Sequence, residues 1–251
     1  MSLPEISSRE EWLAARMSLL AREKEHTRAR DALNADRRRL PMVRIEKAYA
    51  FEGPGGRVGL LDLFEGRRQL FLQHFMFHPS WDDGCPSCSA GADELAAGTF
   101  DHLHIRDTTF AAVSRAPLAK IEDFRKRKGW SFPWYSSFGS DFNYDFHATI
   151  DESVAPLEIN YRSREQIEAS AGESAKWTLT AEQPFEMPGF SCFLRDGESI
   201  FHTYSTFARG TEEIGGAYGF LDLTALGRQE EWEEPKGRAE NARGAMPNFA
   251  S

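Results

Sequence analysis

The residues best suited to do chemistry in this 251-residue chain are two cysteines, Cys85 and Cys88, with two residues between them. Cysteines at this spacing can close a small disulfide or jointly hold a metal ion. A hydrophobic run at 70–77 precedes them, and a stretch compatible with a helix, 90–100, follows. The order of strand, loop, Cys-x-x-Cys and helix favours a redox site.

Cys85 is the candidate nucleophile of the pair. An unperturbed thiol has a pKa of about 8.5, and only the thiolate attacks. Pro86 suits the first turn of a helix, whose unpaired N–H groups and positive end would favour the Cys85 thiolate. Cys88, one turn further on, is then the resolving thiol. Asp82 and Asp83 act against this arrangement, because neighbouring negative charge disfavours a thiolate.

Two other interpretations of the cysteines stay open, a metal site and inert buried thiols. Together with His102 and His104, the pair offers four zinc ligands, but a zinc finger places three to five residues between its histidines. Cys192 lies in a predicted buried strand, where a free cysteine behaves as a small hydrophobic residue. We predict no metal and no cofactor.

Composition limits the classes of partner and the compartment. The net charge of −9 disfavours attraction to nucleic acid or anionic lipid. Three cysteines are too few for a disulfide scaffold, which fits a reducing compartment. The N-terminus has no signal-peptide pattern, and no apolar run approaches the roughly 18 residues that a membrane helix needs. We therefore predict a cytoplasmic protein with no nucleic-acid or membrane partner.

The chain is expected to contain three segments. Ser8 and Glu11 form a plausible capping box, which predicts an N-terminal helical extension at 1–41. The main domain is predicted at 42–228 with an insertion near 151–186, and a polar tail occupies 229–251. Within the main domain, strands alternating with helices predict a largely parallel sheet.

Local signals predict two further features of the main domain. A helix from about Pro117 to Lys128 is closed by Gly129. Asp196 and Gly197 lie between two apolar runs and predict an antiparallel hairpin. A short helix is expected at about 211–221.

Segments outside the cysteine motif follow the pattern of a known superfamily. They are Leu40-Pro41-Met42-Val43, Gly55-Gly56-Arg57-Val58-Gly59-Leu60, Leu63-Phe64, the run ending at Phe77, Pro79, Phe110-Ala111-Ala112-Val113-Ser114-Arg115 and Gly129-Trp130-Ser131-Phe132-Pro133. With these residues, the stretch from 43 to about 146 resembles the thioredoxin superfamily, in particular its alkyl hydroperoxide reductase and thiol-specific antioxidant branch. The resemblance implies an α/β, thioredoxin-like fold with a central mixed sheet flanked by helices, an N-terminal helical extension and a C-terminal hairpin.

Longer signatures cover most of the chain. They are His74-Phe75-Met76-Phe77, Gly84-Cys85-Pro86-Ser87-Cys88-Ser89, Val113-Ser114-Arg115-Ala116-Pro117-Leu118, Phe138-Gly139-Ser140-Asp141-Phe142-Asn143-Tyr144-Asp145-Phe146 and Phe201-His202-Thr203-Tyr204-Ser205. By these segments the whole chain resembles a family of mostly bacterial thioredoxin-like proteins catalogued as a domain of unknown function.

The chain departs from characterised members of the superfamily at the cysteines. A peroxiredoxin positions peroxide with a Pro-x-x-x-Thr-x-x-Cys loop, but Asp82 stands three residues before Cys85, and Cys85 stands three before Cys88. The activating threonine is therefore absent. Thioredoxin has a tryptophan directly before its first cysteine, whereas this chain has Gly84 there and Trp81 three residues earlier. These departures favour disulfide exchange over peroxide reduction.

Four residues are predicted to bind substrate beside the cysteines. In thioredoxin-like proteins a cis-proline before a strand faces the cysteines, and Pro188 is the candidate here, although a trans turn proline is the default for a sequence of this kind. Trp81, Ser114 and Arg115 lie in loops or at strand ends, where function concentrates in open α/β sheets.

Three functions follow from these observations. The first is a dithiol–disulfide oxidoreductase that acts on a protein or small-molecule disulfide through Cys85 and Cys88. The second is a peroxiredoxin-like thiol peroxidase. The third is a noncatalytic thioredoxin-like binding domain, in which the N-terminal helix and aromatic residues form a homodimer.

Overall fold

The computed structural model describes residues 4–170, 177–214 and 236. The chain divides into two compact units with a boundary between Met42 and Val43. The first unit contains helix α1 (Arg9–Arg37). The predicted capping box is present at its start, because the Ser8 hydroxyl accepts from the Glu11 N–H and the Glu11 carboxylate accepts from the Ser8 N–H at 2.9 Å.

The second unit contains the remaining described elements. Its strands are β1 (Val43–Arg44), β2 (Ala50–Gly53), β3 (Gly56–Gly59), β4 (Gln69–His74), β5 (Thr108–Ser114), β6 (Trp134–Ser136), β7 (Thr149–Ile150), β8 (Glu158–Ile159), β9 (Arg162–Ser163), β10 (Phe185–Glu186), β11 (Gly189–Asp196) and β12 (Ser199–Phe207). Its helices are α2 (Pro86–Asp93), α3 (Ala97–His104), α4 (Leu118–Lys128), α5 (Phe142–Asp145) and α6 (Arg164–Ser170).

Eight of these strands form one mixed sheet in the order β1-β12-β11-β4-β5-β6-β2-β3. Strands β4, β5 and β6 are parallel, and every other neighbouring pair is antiparallel. The prediction of a largely parallel sheet was wrong outside this centre. A parallel pair needs a crossover connection, and α2, α3 and α4 supply crossovers only between β4, β5 and β6. The central mixed sheet flanked by helices is confirmed.

The two faces of the sheet pack against different hydrophobic clusters. Leu70 and Leu72 of β4 belong to a cluster with Phe142. On the other face, Phe75 and Phe77 belong to a cluster that includes both cysteines of the Cys-x-x-Cys motif. Each fully buried large side chain contributes roughly 1.5–3 kcal/mol relative to its exposed state. The motif is therefore anchored in one of the two cores.

The predicted local signals form the expected structures. Helix α4 ends at Gly129, whose φ of 72° suits a residue without a Cβ. Strands β11 and β12 form the predicted hairpin, and its turn residue Gly197 has a φ of 58°. Of the short helix expected at 211–221, residues up to Ile214 belong to a 3-10 helix that begins at Ala208, and the rest lie outside the described residues. The predicted tail at 229–251 also lies outside them, apart from Lys236.

The predicted insertion has a small core of its own. It leaves the domain after β7 and returns through β10, which pairs with β7. Between these strands lie the hairpin of β8 and β9, helix α6 and a 3-10 turn at Trp177–Leu179. Ile159 and Ile167 pack with Met187 in a separate hydrophobic cluster. The segment between β7 and β10 thus packs around a hydrophobic cluster, and the β7–β10 pair holds its two ends together.

In the part of the chain that is described, no helix has the length and apolar character needed to span a membrane.

Candidate active site

The Cys-x-x-Cys motif begins helix α2, as the sequence predicts. Cys85 is the N-cap residue and Pro86 occupies the first turn. The Cys85 N–H donates to the Met76 carbonyl at 2.9 Å, which fixes the loop to the end of β4. The Cys85 carbonyl accepts from both the N–H and the hydroxyl of Ser89, each at 2.9 Å. The first turn of α2 is therefore held firmly in place.

Gly84 allows this loop to approach the core closely. A Cβ at this position would lie 2.7 Å from the Phe75 ring and 3.0 Å from the Phe124 ring. Both rings belong to the cluster that contains the cysteines. Glycine is thus the residue that fits before Cys85, in the place where thioredoxin has a tryptophan.

The two thiols have opposite pKa shifts. The Cys88 thiol donates to Cys85, and this hydrogen bond is the main reason that the Cys85 pKa falls from 9.0 to about 6. The backbone N–H groups of Cys88 and Ser87 and the Ser87 hydroxyl act in the same direction, while burial acts against them. Donation to Cys85, burial and the Cys85 charge together raise the Cys88 pKa well above its ordinary value.

This pattern suits stepwise thiol chemistry. With a pKa of about 6, roughly nine in ten Cys85 side chains carry a thiolate at pH 7. Cys88 keeps its proton at the same pH. The arrangement provides one nucleophile and one protonated neighbour that can attack later.

The two aspartates before the motif do not oppose the Cys85 thiolate in the way the sequence suggests. The Asp83 carboxylate accepts from Arg127 Nη2 at 2.5 Å, and the Asp82 side chain is fully exposed. Neither carboxylate is among the groups that shift the Cys85 pKa. Arg127 lies on α4, and no local pattern of the sequence links it to residue 83.

The cysteines adjoin a cavity of about 670 Å³. Residues 81 and 83–88 form one side of it, and Met187, Pro188 and Ala208 contribute from the ends of β10 and β12. Most of the lining is apolar, with Asp83 and Arg162 as its charged residues. Cys85 and Cys88 are each only 7% exposed. The volume lies within the range of small-molecule sites, roughly 300–1,000 Å³.

The insertion supplies the other side of the cavity through Ile159, Asn160, Arg162, Trp177 and Thr178. The sequence predicts an insertion near 151–186, but its patterns single out none of these residues as site residues. A signal was present, because Asn160 is a favoured first residue of a tight hairpin turn.

Two of the four predicted substrate-binding residues lie at the cavity. Trp81, 36% exposed, and Pro188 line it together with the cysteines. The Met187–Pro188 peptide bond is trans, and the cis-proline of the described residues is Pro184, which follows Gln183. Pro188 is therefore an ordinary trans proline, the default for such a sequence, and not the cis-proline of the thioredoxin-like pattern.

Ser114 and Arg115 lie outside the cavity lining. Ser114 is fully buried, where its hydroxyl donates to the Phe75 carbonyl at 2.6 Å and accepts from the Trp134 indole N–H at 2.9 Å. Arg115 Nε donates to Glu186 Oε1 at 2.8 Å, and its Nη1 donates to the Tyr144 hydroxyl. Both side chains are thus occupied in fastening the end of β5 to neighbouring segments.

The Arg115–Glu186 pair connects the central sheet to the cavity. Glu186 is 2% exposed, and its second carboxylate oxygen accepts from Thr149 at 2.7 Å. Burial raises the pKa of Glu186, while the charge of Arg115 and the hydrogen bond from Thr149 act in the opposite direction. Met187 and Pro188 follow directly and line the cavity. The buried pair therefore fixes the segment on which the Pro188 side of the cavity is built.

The remaining interpretations of the cysteines concern a metal site and a role for Cys192. Among the residues that the structure describes, no three His, Cys, Asp or Glu side chains lie close enough together to hold a metal ion. Cys192 lies on β11 opposite Phe71, away from the cavity lining, and burial raises its pKa to about 11. Cys192 is thus a protonated thiol at neutral pH.

Comparison with known families shows to which family the chain belongs. Residues 1–245 match the model of a family described as a bacterial protein of unknown function, DUF899. The chain belongs to this family. A search of curated proteins gave no match to the DUF899 chain.

Solved structures similar to the DUF899 chain include several peroxiredoxins. One is a cysteine-to-serine mutant of peroxiredoxin Q from Xanthomonas campestris, 11% identical, with 66% of this chain and 87% of that chain covered and a TM-score of 0.42. Peroxidoxin BcpB from Mycobacterium tuberculosis is 10% identical, with 65% and 84% covered and a TM-score of 0.37. Yeast mitochondrial 1-Cys peroxiredoxin is 16% identical, with 67% and 70% covered and a TM-score of 0.34. At these TM-scores the fold assignment rests on the strand order of the chain itself.

Proposed function

We propose that the DUF899 chain is a thiol–disulfide oxidoreductase in which Cys85 attacks a substrate disulfide and Cys88 resolves the product. The observation that carries this proposal is the pair of opposite pKa shifts at the start of α2, beside a cavity. The lowered pKa of Cys85 supplies a thiolate at neutral pH for the first attack, and the protonated Cys88 stays available for the second.

The first step is attack of the Cys85 thiolate on one sulfur of a disulfide RS–SR. A Cys85–SR bond forms, the substrate S–S bond breaks, and one RS⁻ leaves and takes a proton from solvent. The negative charge on Cys85 disappears in this step, which removes a main cause of the raised Cys88 pKa. Formation of the mixed disulfide thus makes Cys88 easier to ionise.

The second step is attack of Cys88, after loss of its proton, on Cys85 Sγ. A Cys85–Cys88 disulfide forms and the second RS⁻ leaves. The protein has then given up two electrons, and the substrate has become two thiols. Further turnover needs an external thiol or dithiol that reduces the Cys85–Cys88 bond, so the physiological cycle includes a reductant of that class.

Thiol peroxidase activity is the second candidate, favoured by the low Cys85 pKa alone. Peroxide reduction also needs a donor that positions the peroxide oxygen, and the residue at the position of the peroxiredoxin threonine is Asp82, which is fully exposed. The noncatalytic interpretation gains no support from a buried pair of thiols with opposite shifts, because vestigial cysteines need neither. We therefore rank disulfide exchange first.

The stoichiometry of thiol release tests the proposal. Reduced protein is mixed with excess 5,5′-dithiobis(2-nitrobenzoate), and the aromatic thiol released in the fast phase is measured by absorbance. The wild type should release two equivalents, Cys88→Ser one, and Cys85→Ser none. Cys192→Ser is the matched control and should behave as wild type. Equal fast phases in wild type and Cys85→Ser would overturn the proposal.

A further inference from the structure

Arg162 is a cation in the cavity that has no partner among the described side chains. The other charged residue of the lining, Asp83, is bound to Arg127. Nearby arginines are occupied: Arg115 pairs with Glu186, and Arg164 forms two hydrogen bonds with Glu152. The Arg162 side chain is half-buried and forms no hydrogen bond or ion pair with any described residue. A guanidinium has five N–H donors in a planar fork, and these donors of Arg162 are available to an anionic group in the cavity.

The β8–β9 hairpin that carries Arg162 is anchored on strand β12. Asn160 and Tyr161 have φ values of 51° and 62°, as a two-residue type I′ turn requires. The Tyr161 hydroxyl donates to the Ser205 carbonyl at 3.2 Å, and its ring packs edge-on against Phe207. A bulky residue with positive φ stores strain, which persists only where surrounding contacts hold it. The backbone that supports Arg162 is thus fixed before any ligand arrives.

The cover restricts what can reach Cys85. Cys85 is 7% exposed and lines the cavity, so a disulfide that reacts with it must enter this cavity. A small molecule with an apolar body fits the mostly apolar 670 Å³ space as it stands.

Resting on the disulfide exchange proposed above, we propose that the substrate is a low-molecular-weight disulfide with an apolar body and a carboxylate, and that Arg162 binds the carboxylate. The planar fork of an arginine matches a carboxylate with two parallel hydrogen bonds, and such charge-assisted bonds are stronger than neutral ones. The apolar body fills the space between Trp81, Trp177 and Met187. Arg162 is therefore a substrate-binding residue, and the chemistry at Cys85 and Cys88 is unchanged.

A matched pair of probes tests this assignment. One is 5,5′-dithiobis(2-nitrobenzoate), and the other is the same disulfide with both carboxylates converted to uncharged carboxamides. Single-turnover rates with reduced protein are divided by the rates of 2-mercaptoethanol, an uncharged thiol, with the same probe, which corrects for the difference in intrinsic reactivity between the two probes. The variants are Arg162→Gln and Arg162→Lys. Arg57→Gln is the matched control, on edge strand β3, four strands from β4.

The expected result is a normalised preference of the wild type for the carboxylate probe of about tenfold, as for one charge-assisted pair in a partly exposed site. Arg162→Gln should reduce the preference to about one and leave the carboxamide rate unchanged, and Arg162→Lys should be intermediate. Arg57→Gln should match wild type. A wild-type preference near one, or the same preference in Arg162→Gln, would overturn this inference while the exchange chemistry stands. No reaction of Cys85 with either probe would instead overturn the proposed function. If Arg162→Gln does not fold, Arg162→Lys still links the preference to this residue, and a wild-type ratio near one overturns the inference without any variant.

Discussion

Removal of the Cys88 thiol should raise the pKa of Cys85. Lowering that pKa from 9.0 to about 6 corresponds to about 4 kcal/mol in favour of the thiolate. The Cys88 donation is the largest of the contributions that lower it, and burial of Cys85 continues to oppose them. We expect Cys88→Ala to raise the Cys85 pKa by about 1.5, which reduces the thiolate-to-thiol ratio about thirtyfold at a given pH.

Cys88→Ser is the informative control for this change. A serine hydroxyl can still donate to Cys85, so the variant separates the loss of a donor from the loss of a sulfur. The Cys85 pKa is expected to be lowest in the wild type, higher in Cys88→Ser and highest in Cys88→Ala. The assay is the rate of iodoacetamide alkylation of Cys85 between pH 4.5 and 10, followed by peptide mass spectrometry. Cys192, with its pKa of about 11, titrates above this range, and the peptide map separates its alkylation from that of Cys85.

The reasoning would be refuted by an alkylation profile of Cys88→Ala that coincides with that of wild type. The backbone N–H groups at the start of α2 would then account for the low pKa by themselves. If the alkylation rate of wild-type Cys85 rises with pH at the pKa of an ordinary thiol, the structural account of Cys85 is refuted altogether.

Two further predictions concern stability. His74 is fully buried and its pKa is lowered to about 3 by burial, so the folded protein holds it neutral while the unfolded chain binds a proton below about pH 6.5. Stability should fall as the pH drops from 6.5 toward 3, by about 4 kcal/mol in all, and His74→Gln should remove that part of the pH dependence in urea unfolding. Arg115→Met should destabilise the fold by about 3–5 kcal/mol, because it leaves Glu186 as an uncompensated buried charge. Arg115→Met/Glu186→Gln should recover part of this loss, and an equally unstable double variant would contradict the ion-pair explanation.

The start of α2 could be predicted from the sequence because its signals are local. Pro86 fixes the first turn, and the cysteine before it becomes the N-cap. The β11–β12 hairpin was predictable for the same reason, since Asp196 and Gly197 determine the turn between two apolar runs. In both places the residues that cause the structure are neighbours in the chain.

The side of the cavity opposite the cysteines could not be predicted, because it depends on long-range packing. Arg162 reaches the cavity on a hairpin docked on β12, and Trp177 reaches it from a separate 3-10 turn; both lie more than seventy residues from Cys85. Ser114 and Arg115 stand at a strand end, where function is common, but Trp134 and Glu186 occupy their polar groups. No local pattern of the sequence distinguishes a strand-end residue that faces a ligand from one that makes structural hydrogen bonds or ion pairs.

The location of the sulfur bonds after a single turnover tests the central claim most directly. Reduced wild type and Cys88→Ser are each treated with one equivalent of an aromatic disulfide, quenched in acid and mapped by peptide mass spectrometry without reduction. The account predicts that wild type carries a Cys85–Cys88 disulfide, lighter by two hydrogens and free of adduct, while Cys88→Ser carries the aromatic thiol on Cys85. An adduct on Cys192, or a wild type that keeps both thiols of the motif free, would contradict it.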